Sequence, residues 1–184
     1  MSNSVRSVPV VRLCCGALFV ALTALCAQLI IPIGAVPVSL SLLPVLLCAC
    51  LLPLPDALAA MAVYLFMGLA GVPVFSGLGA GPAKLLGPTG GYLIGYLPCV
   101  LVIGLMLRNR PRSVPRMLAA LALGVLVCYA FGTAWFVIST GTGILAALSV
   151  CVFPFLPFDA GKIALAVLLT KYLSKPLKPY MPWL

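Results

Sequence analysis

The stretch RNRPRSVPR, Arg108 to Arg116, places four arginines between two long apolar runs, and its reading decides the fold. The chain around it has 184 residues, of which 64% are hydrophobic and only 7% charged. That leaves too little polar surface to coat a water-soluble globule of this size, so the apolar runs have a bilayer as their solvent. Runs of about 20 apolar residues cross it as helices, which satisfy their backbone polar groups internally. A short loop carrying this many arginines stays on the cytoplasmic side.

Two further basic flanks lie outward from that loop: Arg6 and Arg12 before the first apolar run, and Lys171, Lys175 and Lys178 after the last. The spans read between these marks run from about 12–31, 38–52, 56–70, 88–107, 116–138 and 157–173. Six crossings return both termini to one side and put the arginine loop there too, so all three basic flanks face the cytoplasm together. A seventh crossing through Ile144 to Phe155 would send the terminal lysines outside, and about 12 residues closed by Pro154 and Pro157 are too few to span. That segment reads as a re-entrant or interfacial lead-in to the last helix. The expected fold is therefore all-α: one integral membrane domain over residues 1–184, a six-helix bundle with a long Gly/Pro-rich outer loop between helices 3 and 4. The second and third spans are short and call for shielding by protein. Leu13 to Ile31 resembles a signal peptide behind Arg6 and Arg12, but the run is long for one and reads as a retained first helix.

Composition also excludes functions. The formal net charge of +9 sits in flanks of apolar segments, not along an aromatic-laced groove, which argues against nucleic acid as a partner. The eight cysteines come with no CxxC pair and no histidine, so they read as small apolar fillers and no metal site is expected. Neither GxxxxGK[ST] nor a complete GxGxxG is present, so the chain does not itself hydrolyse ATP. With two acids on opposite sides and no histidine, no catalytic residues and no enzyme activity are expected.

What remains is polar and sits toward the outer face. In FLPFDAGKIALA, Phe155 to Ala166, Asp159 and Lys162 are three residues apart and so share one helix face. Asp159 alone has a plain role as an N-cap favoured by the helix dipole. A lysine deeper in the apolar run costs at least about 2.5–3.5 kcal/mol on insertion scales, which favours a ligand-binding role for the pair. A carboxylate beside an ammonium suits a compact group carrying both N–H and C=O, such as a cyclic urea or amide. Lys84, in the outer segment GVPVFSGLGAGPAKLLGPTGG, is the candidate partner for an anionic end of the same molecule. The glycines of that segment let its backbone fold close over a bound molecule, with Phe75, Thr89, Tyr92 and Tyr96 as candidate lining residues. In the first helix Ala17, Ala21 and Ala24 form a small-residue stripe, open to packing within the bundle or to a partner membrane protein.

GLAGVPVFSG, LLGPTGGYLIGY and PFLPFDAGKIALA together resemble the signature segments of the BioY family, the biotin-binding S components of energy-coupling factor (ECF) transporters. The resemblance covers essentially the whole chain. It implies a multi-pass protein of the bacterial inner or plasma membrane that binds biotin near its outer face. It also implies a transmembrane coupling subunit and ATPase subunits as partners, besides membrane lipid. Asp159 and Lys162 fall in the implied pocket, and Ala17 and Ala21 on the implied docking face. Biotin is then the transported ligand, and no cofactor is implied. The family usually has a glutamine early in the second helix, where this chain reads SLSLLP with Ser39 and Ser41, and commonly a glycine where Phe158 stands. The alternative is a proton-coupled carrier for another small polar solute, with Asp159 as its titrating group.

Overall fold

The computed structural model of the chain describes residues 3–31, 38–108, 112–179, 181 and 183, with side chains from residue 9 onward. The expected break at Pro32 to Pro37, Arg110, and the side chain of Arg6 lie outside the described residues.

The first helix, α1 (Asn3–Gln28), is followed by a two-stranded antiparallel ribbon. In it β1 (Ile30–Ile31) pairs with β2 (Val38–Ser39) in the register Ile30 to Ser39 and Ile31 to Val38. Two features here differ from the sequence reading. The first helix stops at Gln28, not near residue 31, and the second begins at Leu42, not near residue 38. The β-branched residues Ile30, Ile31 and Val38 favour the extended ribbon over continued helix.

Helix α2 (Leu42–Leu51) reads LLPVLLCACL and is buried along its entire length. A helix apolar all round belongs inside a bundle. Protein on every side thus offsets its shortness, since α1, α6 and α9 pack around it. Pro53 and Pro55 end α2 and start α3 (Leu54–Leu69). The buried residues of α3, Ala57, Ala60, Met61, Tyr64 and Gly68, recur at three- and four-residue spacing and form one stripe against the core. At its first turn Asp56 receives a two-pronged ion pair from α1, with Arg12 Nε to Oδ2 at 2.5 Å and Nη2 to Oδ1 at 2.8 Å. Arg12 is therefore more than the cytoplasmic anchor expected of it, because it ties α1 to α3.

The expected fourth span is divided into α5 (Gly90–Ile94) and α6 (Tyr96–Leu107), preceded by a short α4 (Pro82–Leu86) inside the Gly/Pro-rich segment. Then come α7 (Val114–Thr140), α8 (Ile144–Cys151) and α9 (Leu156–Leu177). Pro9–Gln28, Gly90–Leu107 and Val114–Thr140 are long and apolar enough to cross a membrane, and α8 with α9 forms an apolar pair bent by 52°. The bend falls where the lead-in to the last helix was expected. All eight cysteines are free thiols.

The Gly/Pro-rich segment between α3 and α4, expected on the outer side, is held down at several points. Phe75 and Gly79 form an antiparallel bridge. Tyr64 donates to the Val74 carbonyl at 3.0 Å. The Gln28 amide both donates to the Phe75 carbonyl (3.1 Å) and accepts from the Leu78 amide (2.8 Å). Phe75 is fully buried, edge-on to Tyr64 with ring centroids 5.6 Å apart. Its ring occupies the space a side chain at residue 68 would need, since a Cβ there would meet ring carbons at 2.0–2.4 Å. Gly68→Ala is expected to destabilise the protein by about 1–3 kcal/mol through overpacking. A thermal midpoint in detergent equal to that of the parent protein would refute this account of the segment.

Candidate functional site

The buried stripe of α9 begins with its two charged residues and continues one and two turns on: Asp159, Lys162, Ala166 and Thr170. Pro157 opens the helix, where its missing N–H costs nothing, and Asp159 follows within the first turn. Asp159 is 3% exposed and Lys162 6%. Lys162 Nζ donates to Asp159 Oδ1 at 2.7 Å and to the carbonyl of Ser39 at 2.8 Å. Tyr129, from the buried face of α7, donates its phenol to Asp159 Oδ2 at 2.5 Å. A charge pair this deep survives only with its hydrogen bonds nearly satisfied, and here three elements (α9, α7 and β2) satisfy it.

A second polar chain leads away from the Ser39 end. Ser39 Oγ bonds Ser41 Oγ at 2.7 Å, and Ser41 Oγ bonds the Tyr96 hydroxyl at 2.6 Å. The Tyr96 ring lies 6.4 Å from that of Tyr64, which meets Phe75 in turn. Chemically, the array presents one anion and one cation without using up either. A carboxylate has about four lone-pair sites and an ammonium three donors. Asp159 has two sites engaged and Lys162 two donors, which leaves acceptor capacity on the acid and one N–H on the lysine. A cavity of about 210 Å³ opens beside Lys162, walled by Leu29, Ile31, Phe158 and Leu165.

The structure joins Asp159 to Lys162 as the spacing implies, but it does not bring all the candidate residues together. Of them, only Lys162 lines that cavity. Lys84 is on α4, half-buried, with its stem against Gly79; its backbone N–H donates to the Gly81 carbonyl, and its ammonium has no hydrogen bond or ion pair among the described residues. Thr89 precedes α5 without capping it through its side chain. Tyr92 bonds Thr133 Oγ1 at 3.2 Å and the Cys151 carbonyl at 3.3 Å. Ala17 and Ala21 are exposed on α1, beside exposed Leu13 and Leu18. The sequence reading missed Tyr129 and the Ser39 carbonyl. Tyr129 carried one faint signal, a phenol one turn from Thr133 inside an otherwise apolar span. A backbone carbonyl carries none.

Known proteins give this geometry a context. The model of the BioY family matches residues 1–179. Biotin transporter BioY of Thermotoga maritima is 37% identical over 159 residues, covering 86% of this chain and 92% of its own. Biotin transporter BioY2 of Lactococcus lactis is 36% identical over 155 residues, covering 84% and 83%. A 2.1 Å crystal structure of the S-component for biotin from an ECF-type ABC transporter superposes with a TM-score of 0.83. That structure is 28% identical, and the match covers 95% of both chains. With the family model running across nearly its whole length, this chain belongs to the BioY family.

Proposed function

We propose that this protein is a biotin-binding S component, which captures biotin at the Asp159 end of the bundle and carries it into the cell. Its function is transport and not catalysis. The carrying observation is the buried Tyr129–Asp159–Lys162 array, whose spare bonding capacity is one acceptor face and one N–H. The cyclic urea of biotin offers the complement, with N–H donors for Asp159 and a carbonyl for Lys162. On this reading Lys84, whose ammonium is unengaged among the described residues, takes the tail carboxylate. Thr89 and Tyr92 serve as lining, while Phe75, buried by Tyr64, supports the segment from behind. The exposed Ala17 and Ala21 form the face on which a transmembrane coupling subunit docks, with ATPase subunits supplying the energy. The proton-coupled alternative is less well supported, because Asp159 is already paired with a cation.

In the membrane, six crossings are proposed: α1, α2, α3, α5 with α6, α7, and α9 led by α8. Both termini then face the cytoplasm with the basic flanks. In a cysteine-free background, an impermeant thiol reagent is expected to reach Gly79→Cys from outside and Ser113→Cys only from inside. The reverse labelling would invert the topology.

Asp159→Asn removes the charged acceptor and is expected to weaken biotin binding. A charge-assisted hydrogen bond contributes about 1.5–3 kcal/mol, so the loss in affinity should be roughly tenfold to over a hundredfold by calorimetry. Tyr129→Phe should cost less, about tenfold at most, because Lys162 still holds the acid. Unchanged affinity in Asp159→Asn would remove that residue from the site.

The two lysines are separable by ligand chemistry. Lys84→Ala is expected to weaken biotin but hardly to affect an analogue whose tail carboxylate is an amide. Lys162→Ala should weaken both. It also strands a buried Asp159, at a cost of about 3–5 kcal/mol, so thermal stability is measured alongside. Equal weakening of biotin and the amide by Lys84→Ala would end its role as carboxylate partner.

A further inference from the structure

The end of the bundle remote from Asp159 contains a cavity of about 770 Å³, larger than the one beside Lys162. Its lining includes Arg108, Arg112, Thr170, Lys171, Lys175 and Lys178. Five of these six are cations. The two carboxylate side chains of the chain are both committed elsewhere, Asp56 to Arg12 and Asp159 to Lys162. Among the described residues, then, no acidic side chain faces these cations across the cavity.

Among the described residues, two side-chain polar atoms there lack hydrogen-bond partners. Arg112 Nη1 is buried without a hydrogen-bond partner. Burial lowers the pKa of Arg112 from its ordinary value, yet a guanidinium keeps its charge in proteins. Thr170, only 1% exposed, has its Oγ1 buried near the Cys50 thiol without a hydrogen bond of normal geometry. Both atoms belong to side chains that line the cavity, and a buried guanidinium nitrogen or hydroxyl without a partner is costly to the fold, so their surroundings favour rearrangement toward a bound acceptor.

We propose that this cavity is a binding site for a phosphate-bearing anion, with the headgroup of an anionic phospholipid as the source that fits best. The planar fork of Arg112 matches phosphate oxygens, and the lysines add point charges around it. The location selects the lipid. The cavity lies where α2 gives way to α3, where α6 ends at Leu107, and on the last turns of α9, at the level where the apolar spans stop. Headgroups reside at that level, and basic pockets between helices on the cytoplasmic side recognise them. Leu52, Leu54 and Met117 add apolar wall, which suits the glycerol end of a lipid better than a free ion. Trp183, whose indole donates to the Leu51 carbonyl at 3.0 Å, closes one side as an interfacial aromatic.

The test titrates detergent-purified protein with dihexanoyl phosphatidylglycerol, dihexanoyl phosphatidylcholine and inorganic phosphate, read by calorimetry. Phosphatidylglycerol should bind saturably, and Arg112→Gln and Thr170→Val should each weaken it, the arginine variant by roughly tenfold or more. Saturable binding of inorganic phosphate with the same sensitivity to Arg112→Gln would support the site with soluble phosphate as its source. Circular dichroism checks the fold of each variant. Should Arg112→Gln fail to fold, the exposed pair Lys175→Gln and Lys178→Gln carries the test, with weakened phosphatidylglycerol binding expected. Phosphatidylcholine binding as tightly as phosphatidylglycerol, or folded variants that bind phosphatidylglycerol like the parent, would overturn the proposal.

Discussion

With eleven basic residues and two acids, carboxylates are the scarce partner, and among the described residues one side-chain ion pair forms at each end of the bundle. Arg12 with Asp56 fastens α1 to the start of α3. Lys162 with Asp159 gathers α9, α7 and the β2 ribbon around a single buried site. The pairs differ in kind. The first is partly exposed, with side chains 38% and 23% accessible, and water screens such a pair to a modest contribution. The second is sealed from water, so its geometry must be nearly complete or it would not persist.

The sequence disclosed what is local and concealed what is not. Spacing within one helix was enough to join Asp159 to Lys162, because residues three apart on a helix are neighbours whatever else the chain does. Tyr129 is thirty residues away on α7, and only the packing of α7 against α9 brings its hydroxyl to Asp159. Apolar runs and proline breaks located the long helices. They did not show where α1 yields to the β1–β2 ribbon, because Ile, Val and Leu suit both a buried helix and a strand. Hydrophobicity equally hid the break between α5 and α6, where Gly95 interrupts an otherwise continuous apolar run. Ala17 and Ala21 were legible as a small-residue stripe, but only the structure shows that this face is turned away from the core.

Glycines and aromatics act in matched pairs across the bundle. Gly68 admits the ring of Phe75, Gly132 that of Tyr92, and Gly91 the side chain of Trp135, each at a distance a Cβ would violate. The first contact seats the segment after α3 against α3 itself, and the other two lock α5 to α7. The α5–α7 contacts seat the Tyr92 ring so that its hydroxyl meets Thr133 and the Cys151 carbonyl of α8. Shape seats these side chains, and hydrogen bonds such as those of Tyr64 to Val74 and Tyr92 to Thr133 complete the fit, so packing and polar contact have separate tasks.

That distinction bears on why a buried ion pair occurs here at all. Well-packed apolar residues in place of such a pair are often neutral or stabilising, so Asp159 and Lys162 are not explained by stability. Fold specificity is a weaker explanation as well, since α9 already presents Ala166 and Val167 to the core and could be seated by packing alone. What apolar residues cannot supply is an acceptor and an N–H side by side in a dry site. There, each hydrogen bond to a ligand replaces one to water under a low dielectric, where its loss from a near-cognate molecule is most costly. On the proposed function, the pair's expense to the fold is the source of its discrimination, and Tyr129 and the Ser39 carbonyl keep it poised when no ligand is bound.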